Sequence, residues 1–132
     1  MPPKLNLGPD QAAGPPQFVG IAMNGGVMRA TLVGPIIGQR EGPIITAELV
    51  RAIEAAGPVL RLLVLDLSDV AGMASMGLGM CIEVRNRAWE RGAPTVLYGL
   101  NPDLVNLIHL VKVQRLYTLA HSDEELAGLM AA

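Results

Sequence analysis

The chain has 132 residues, half of them hydrophobic, a formal charge of −2 and a single cysteine, Cys81. This is the size of one compact domain with a sizeable core, and a lone thiol builds no disulfide framework. One Trp, two Tyr and one Phe without a net basic charge argue against a general nucleic-acid binder, which needs a basic face and stacking aromatics.

Residues 1–16 hold five of the ten prolines, two glycines and few large apolar groups, which predicts an extended or disordered arm ahead of a domain over residues 17–132. The opening Met1-Pro2-Pro3-Lys4 lacks the apolar core of a secretory signal, and a cytoplasmic protein is expected. The longest apolar stretch, Val59 to Leu67, is interrupted by Arg61 and Asp66 and is far shorter than the roughly 20 residues a membrane span needs. No direct membrane insertion follows from it.

From Phe18 the pattern changes to two apolar runs, Phe18 to Met23 and Val27 to Val33, separated by Asn24-Gly25-Gly26. Asn-Gly and Gly-Gly supply the positive φ angles of a tight turn, so the runs should pair as an antiparallel hairpin. Gly34 to Pro43 reads as a loop, after which Thr46 can cap a helix bearing Leu49, Val50, Ile53 and Ala56 on one face, stopped by Gly57-Pro58. Val59 to Leu67 then has the near-continuous apolar character of a central strand covered on both faces.

A short polar turn follows, and Ser75 stands at the mouth of the next helix, where its hydroxyl can accept a hydrogen bond from backbone N–H groups two or three residues on. Leu78, Cys81, Ile82, Arg85, Ala88 and Trp89 recur with a period of three to four, and Gly92 is the stop. Pro94 to Tyr98 is the next strand. Asn101-Pro102 supplies an N-cap and a first-turn proline for a helix with Leu104, Leu107, Ile108 and Val111 as its stripe. Leu116 to Ala120 makes a short edge strand, and Ser122-Asp123-Glu124-Glu125 is a capping box opening a last helix with Leu126, Leu129 and Met130 inward.

The order is β-β-α-β-α-β-α-β-α, an α/β domain with a mixed five-stranded sheet and helices packed on it. Right-handed crossovers make strands two to five parallel and leave the first at an antiparallel edge. The carboxyl ends of the strands, with the Ser75 turn among them, line one side of the molecule, where function is expected.

At this point Val64-Leu65-Asp66-Leu67-Ser68-Asp69-Val70, then Ala74-Ser75-Met76-Gly77-Leu78-Gly79, then Arg91-Gly92-Ala93 and Tyr98-Gly99-Leu100-Asn101-Pro102 resemble the STAS domain of bacterial anti-sigma factor antagonists and sulfate-transporter tails. The resemblance covers Phe18 to Met130. It implies a non-enzymatic protein that binds a kinase-type anti-sigma factor, is phosphorylated on a serine at the start of the helix after the third strand, and releases its partner when modified. Carried onto this chain, the phosphoacceptor is Ser75 and the partner-binding segment is Met73, Ala74, Ser75, Met76 and Gly77. Two positions depart from the family pattern. Ala74 stands where the family has an acid or hydroxyl, and Ile37 stands where it often has an acid after the second strand.

Physical chemistry supports a switch at such a place. Methionines adapt to a partner's surface, whereas a phosphate there would cost desolvation in the interface and be stabilised by the helix N-terminus when free. Other readings stay open: Ser75 as a plain cap in a non-phosphorylated scaffold, a self-assembling complex or an accessory subunit of a membrane transporter. A small α/β enzyme is weaker, because no histidine, lysine or second nucleophile accompanies Asp66, Ser68 and Asp69. Gly72, Gly77 and Gly79 do not make a phosphate-binding fingerprint. No cofactor is implied, and His109 and His121, without a neighbouring cysteine, read as structural rather than as metal ligands. The expected partner is a protein, with homo-oligomerisation left open.

Overall fold

The computed structural model describes residues 18–131, so the expected arm lies outside the described residues. The chain runs through β1 (Val19–Asn24), β2 (Val27–Leu32), β3 (Ile36–Ile37), α1 (Glu41–Ala56), β4 (Leu62–Asp66), β5 (Gly72–Met73), α2 (Ser75–Glu90), β6 (Thr95–Tyr98), α3 (Pro102–Leu110), β7 (Thr118–Ala120) and α4 (Asp123–Ala131). Short 3-10 turns at Gly57–Val59 and Gln114–Leu116 lead into β4 and β7.

The main sheet has the order β1-β2-β4-β6-β7, with β1 antiparallel to β2 and every other pairing parallel. This is the expected topology. The hairpin closes at Gly25 and Gly26, whose φ angles of 59° and 85° are those a side chain resists. β4 sits at the centre with all five residues buried, and its side chains alternate between the two sheet faces. Leu63 and Leu65 join the larger core, with Ile45, Leu49 and Ile53 of α1, Met80, Cys81 and Val84 of α2, and Leu104 and Ile108 of α3. Leu62 and Val64 join a smaller core on the other face, closed by Leu126 of α4.

The structure departs from the sequence reading at α1, which begins at Glu41 rather than after Thr46. Pro43 falls in the first turn, where an N–H has no intrahelical partner and proline is tolerated. Thr46, expected as the cap, instead donates its hydroxyl to the Gly42 carbonyl at 2.9 Å from inside the helix. The end caps follow expectation more closely: Asn101 Oδ1 accepts the Leu104 N–H at 2.8 Å and Ser122 Oγ the Glu125 N–H at 3.1 Å. Glu125 reaches back past the cap and accepts the His121 N–H at 2.6 Å, one residue before the Ser122 N–H that a closed capping box uses. Both histidines are exposed. Trp89, grouped by its period with Cys81 and Ala88, is 57% exposed, because Gly77, Met80, Cys81, Val84 and Ala88 form the buried stripe.

Candidate functional site

Three loops meet at the carboxyl end of the sheet, and each is tied to a neighbour by its backbone. The segment after β2 forms β3, which pairs in parallel with β5 as Ile36 with Gly72 and Ile37 with Met73. Neither strand is legible in the sequence, since two-residue strands have no periodicity. Their pairing continues to Ala74, whose N–H reaches the Ile37 carbonyl at 2.9 Å. The segment between β4 and β5 is held from two sides. Asp69 accepts the Gly34 N–H at 3.1 Å, and Asn101, besides capping α3, donates its Nδ2 to the Ala71 carbonyl at 3.0 Å.

This pairing decides where α2 starts. Ala74 is held extended at φ −83° and ψ 176°, which makes it the N-cap, and its methyl group supplies no cap hydrogen bond. Ser75 is the first helical residue, so the expectation that its hydroxyl caps the helix is not met. The first intrahelical bond runs from the Leu78 N–H to the Ala74 carbonyl at 3.0 Å. The amides of Ser75, Met76 and Gly77 therefore precede the hydrogen-bonded ladder, and at the start of a sixteen-residue helix they favour an anion.

The five residues of the expected partner-binding segment occupy different depths. Ala74 and Ser75 are exposed, Met76 is 46% exposed, Met73 is half-buried and Gly77 is buried. Gly77 is a packing point: a Cβ there would lie 2.8 Å from both Ile37 Cγ2 and the Ile37 carbonyl oxygen. Met73 turns inward, its sulfur 4.0 Å from Cys81 Sγ, and burial pushes the Cys81 thiol up to about 12. Ile36, 55% exposed opposite Gly72, adds apolar surface at this end of the sheet. A shallow groove of about 430 Å³ runs from Met76 between α1 and α2, past Pro43, Ala47, Val50 and Met80.

Polar groups on the α4 side of the sheet complete this end of the molecule. Asp66, at the last position of β4, is 5% exposed and pairs with Arg29 Nη2 at 2.8 Å. Burial alone would raise its carboxyl, but hydrogen bonds from the Ser68 hydroxyl and N–H and from Arg29 outweigh it and hold the pKa below the usual carboxylate range. Arg29 also lies over the Tyr98 ring, 5.3 Å from its centroid, and the Tyr98 hydroxyl donates to Asp123, which raises the phenol. These acids are committed to structure. Among the described residues no cluster of three or more His, Cys, Asp or Glu side chains is placed to hold a metal ion, and no helix is long and apolar enough to cross a membrane.

The same architecture occurs in solved structures. An anti-sigma-factor antagonist (STAS) domain protein from Planctomyces limnophilus superposes with a TM-score of 0.76 at 16% identity, covering 86% of this chain and 98% of that one. The phosphorylated form of the Bacillus cell fate determinant SpoIIAA gives 0.65 at 14% identity, covering 84% and 98%. The murine anion transporter Slc26a9 gives 0.71 at 16% identity over 84% of this chain and 19% of the transporter. At such identities the likeness is one of fold. Comparison with curated proteins gives no match. A family profile described as the STAS domain matches residues 21–126, which runs from within β1 to the first turn of α4 and takes in the loops around Ser75. The chain belongs to the STAS domain family.

Proposed function

We propose that this domain is a non-enzymatic protein-binding regulator of the anti-sigma factor antagonist kind. It docks a kinase-type anti-sigma partner in the cytoplasm through Met73, Ala74, Ser75, Met76 and the backbone at Gly77, and Ser75 accepts a phosphate. The observation that carries this reading is the state of Ser75. Its hydroxyl is exposed, makes no hydrogen bond with the described residues, and stands at the start of α2 beside the exposed Met76. A serine spent on capping would be a poor acceptor; this one is free to be modified.

The switch works by differential affinity. Unmodified, Ser75 and its immediate neighbours Met73, Ala74 and Met76 carry no charge and are partly apolar, and burying them costs little desolvation. Modified, Ser75 carries a charge of about −2 that the first-turn amides stabilise in the free protein and that a dry interface penalises. A tenfold loss of affinity requires a difference of only about 1.4 kcal/mol.

The test is incubation with ATP and the anti-sigma-type kinases of the same organism, with phosphate mapped by mass spectrometry and Ser75→Ala as control. Phosphate on Ser75, and at least tenfold weaker recovery of the partner by Ser75→Asp, are the expected results. Phosphate elsewhere or nowhere would refute the switch. Equal recovery of partner by Ser75→Asp would favour a second reading, a constitutive scaffold or accessory subunit of a transporter, for which the apolar N-cap Ala74 and the likeness to the transporter domain speak.

A further inference from the structure

The parallel topology gives the domain two distinct ends. β2, β4, β6 and β7 finish at the upper end, where the helices begin, and α1, α2 and α3 all return to the lower end. Charge is divided between them. Among the described residues, the first turns and loops of the upper end carry Glu41, Asp69, Asp103, Asp123, Glu124 and Glu125 against a single base, Arg40. The loops of the lower end carry Arg61, Arg91, Lys112 and Arg115 and no acid, and none of these four cations meets a carboxylate among the described residues. The adjoining last helical turns hold Glu54, which is paired with Arg87, and Glu90.

The exposed large apolar side chains follow the same division. At the upper end they are Val33, Ile36, Ile44 and Met76; at the lower end they include Trp89, Leu110 and Val111, exposed by 57%, 78% and 39%. At the lower end Arg85 stacks 4.8 Å over the Trp89 ring and donates to the Leu116 carbonyl at 3.2 Å. That contact brings the end of α2 beside the basic segment that follows α3.

We propose that the lower end of one copy docks on the upper end of the next, so that the chain associates head to tail with itself. Each end repels a like end, which disfavours a two-fold dimer through either one. Opposite ends attract and are oriented by their charges, and the apolar side chains supply the area that leaves water. A head-to-tail contact does not saturate at two copies; it continues into an open chain or closes as a ring. The upper end includes Met76, so self-association and docking of another protein at Ser75 compete for one surface. The inference does not depend on modification of Ser75.

Sedimentation velocity on the full chain tests it, across concentration and at about 20 mM and 500 mM salt, where the screening length falls severalfold. At low salt the mass should rise with concentration past twice the 13.9 kDa of one chain, and at high salt return toward it. Lys112→Glu with Arg115→Glu should give a monomer, as should Asp103→Lys with Glu124→Lys. Mixing the two variants should restore one contact, between the intact acidic end of the first and the intact basic end of the second, and give pairs of one copy of each. Circular dichroism monitors folding, and Lys112→Gln with Arg115→Gln replaces the lower pair if that perturbs it. A monomer under all conditions, an unmodified chain that stops at two copies, failure of the mixture to associate, or a monomer that binds only anionic lipid vesicles or an acidic protein would each overturn the proposal.

Discussion

Replacing Gly77 by alanine, with Gly79→Ala on the same helix as its control, isolates the contact that seats α2 on the β3–β5 pair. Both substitutions gain helix propensity, about 1 kcal/mol in a helix interior. They differ in what the new methyl group meets. At Gly79 nothing lies within 4 Å, so the gain survives and the variant should be stabilised by about 0.5–1 kcal/mol. At Gly77 the methyl would lie 2.6 Å from Met73 Cγ and 2.8 Å from both Ile37 Cγ2 and the Ile37 carbonyl oxygen. Met73 can turn aside, but Ile37 is fully buried and its carbonyl is fixed by the Ala74 N–H.

The helix start must therefore lift off the short strand pair, an overpacking cost of about 1–3 kcal/mol against the same propensity gain. The two variants should differ by about 1–3 kcal/mol, which at an m-value of about 1–3 kcal/mol/M separates their urea midpoints by roughly 1 M. Urea denaturation followed by far-UV circular dichroism reads this directly. Equal stabilisation by the two substitutions would refute the close packing of α2 on Ile37. Because lifting α2 displaces Ser75 and Met76, Gly77→Ala should also weaken any partner held by that surface, whereas Ala74 and Gly79 variants leave the helix seated.

Ala74→Asp should stabilise the fold by about 1 kcal/mol in thermal or urea unfolding, since the residue already has N-cap geometry and lacks only an acceptor. Arg29→Met should cost about 1–2 kcal/mol at pH 7 by leaving Asp66 with its Ser68 bonds alone, the partial exposure of Arg29 moderating the loss. Asp66 is depressed in the fold, so its stabilisation is present above the unfolded carboxylate range near pH 4 and is lost as pH falls through the lower folded value; the gap between wild type and Arg29→Met should narrow over that window, and a gap independent of pH would argue against the pair. The Cys81 thiol, pushed to about 12 by burial, should resist alkylation in the native protein at pH 8 and react on unfolding; stability should decline above about pH 9 as the unfolded thiol ionises first.

The fold was legible where a long periodic signal or a specific cap existed. The Asn24-Gly25-Gly26 turn, the central strand, the Asn101-Pro102 start and the Ser122 cap all carry local chemistry strong enough to be read without neighbours. What escaped depends on distant contacts. β3 and β5 exist because Pro35 and Ile37 carbonyls meet the amides of Ala71, Gly72 and Ala74, an arrangement no window of sequence contains. The early start of α1 escaped because Gly42-Pro43 reads as loop chemistry, while in the fold proline fits the first turn and Gly42 lets that turn approach the Met76 carbonyl. Trp89 shares the helical period of Cys81 and Ala88, yet the buried face of the helix is made by Gly77, Met80, Cys81, Val84 and Ala88, and the indole lies outside under Arg85.

The two departures from the family pattern have different physical meanings once their positions are known. In the sequence, Ala74 and Ile37 both remove polarity from the expected switch face. In the fold, Ile37 is fully buried, its side chain set against the backbone of Gly77, so it shapes the seat of α2 and presents no surface to a partner. Ala74 alone alters the exposed chemistry, and it does so by removing the cap acceptor rather than a charge-bearing contact. An acidic or hydroxyl cap at that position would compete with a phosphate on Ser75 for the first-turn amides, by occupying one of them or by repulsion. With alanine there, those amides are left to whatever anion Ser75 carries. The substitution that weakens the resemblance in sequence thus leaves the anion-stabilising end of α2 more available, and Ala74→Asp should reduce the stabilisation that a phosphate on Ser75 confers on the free domain.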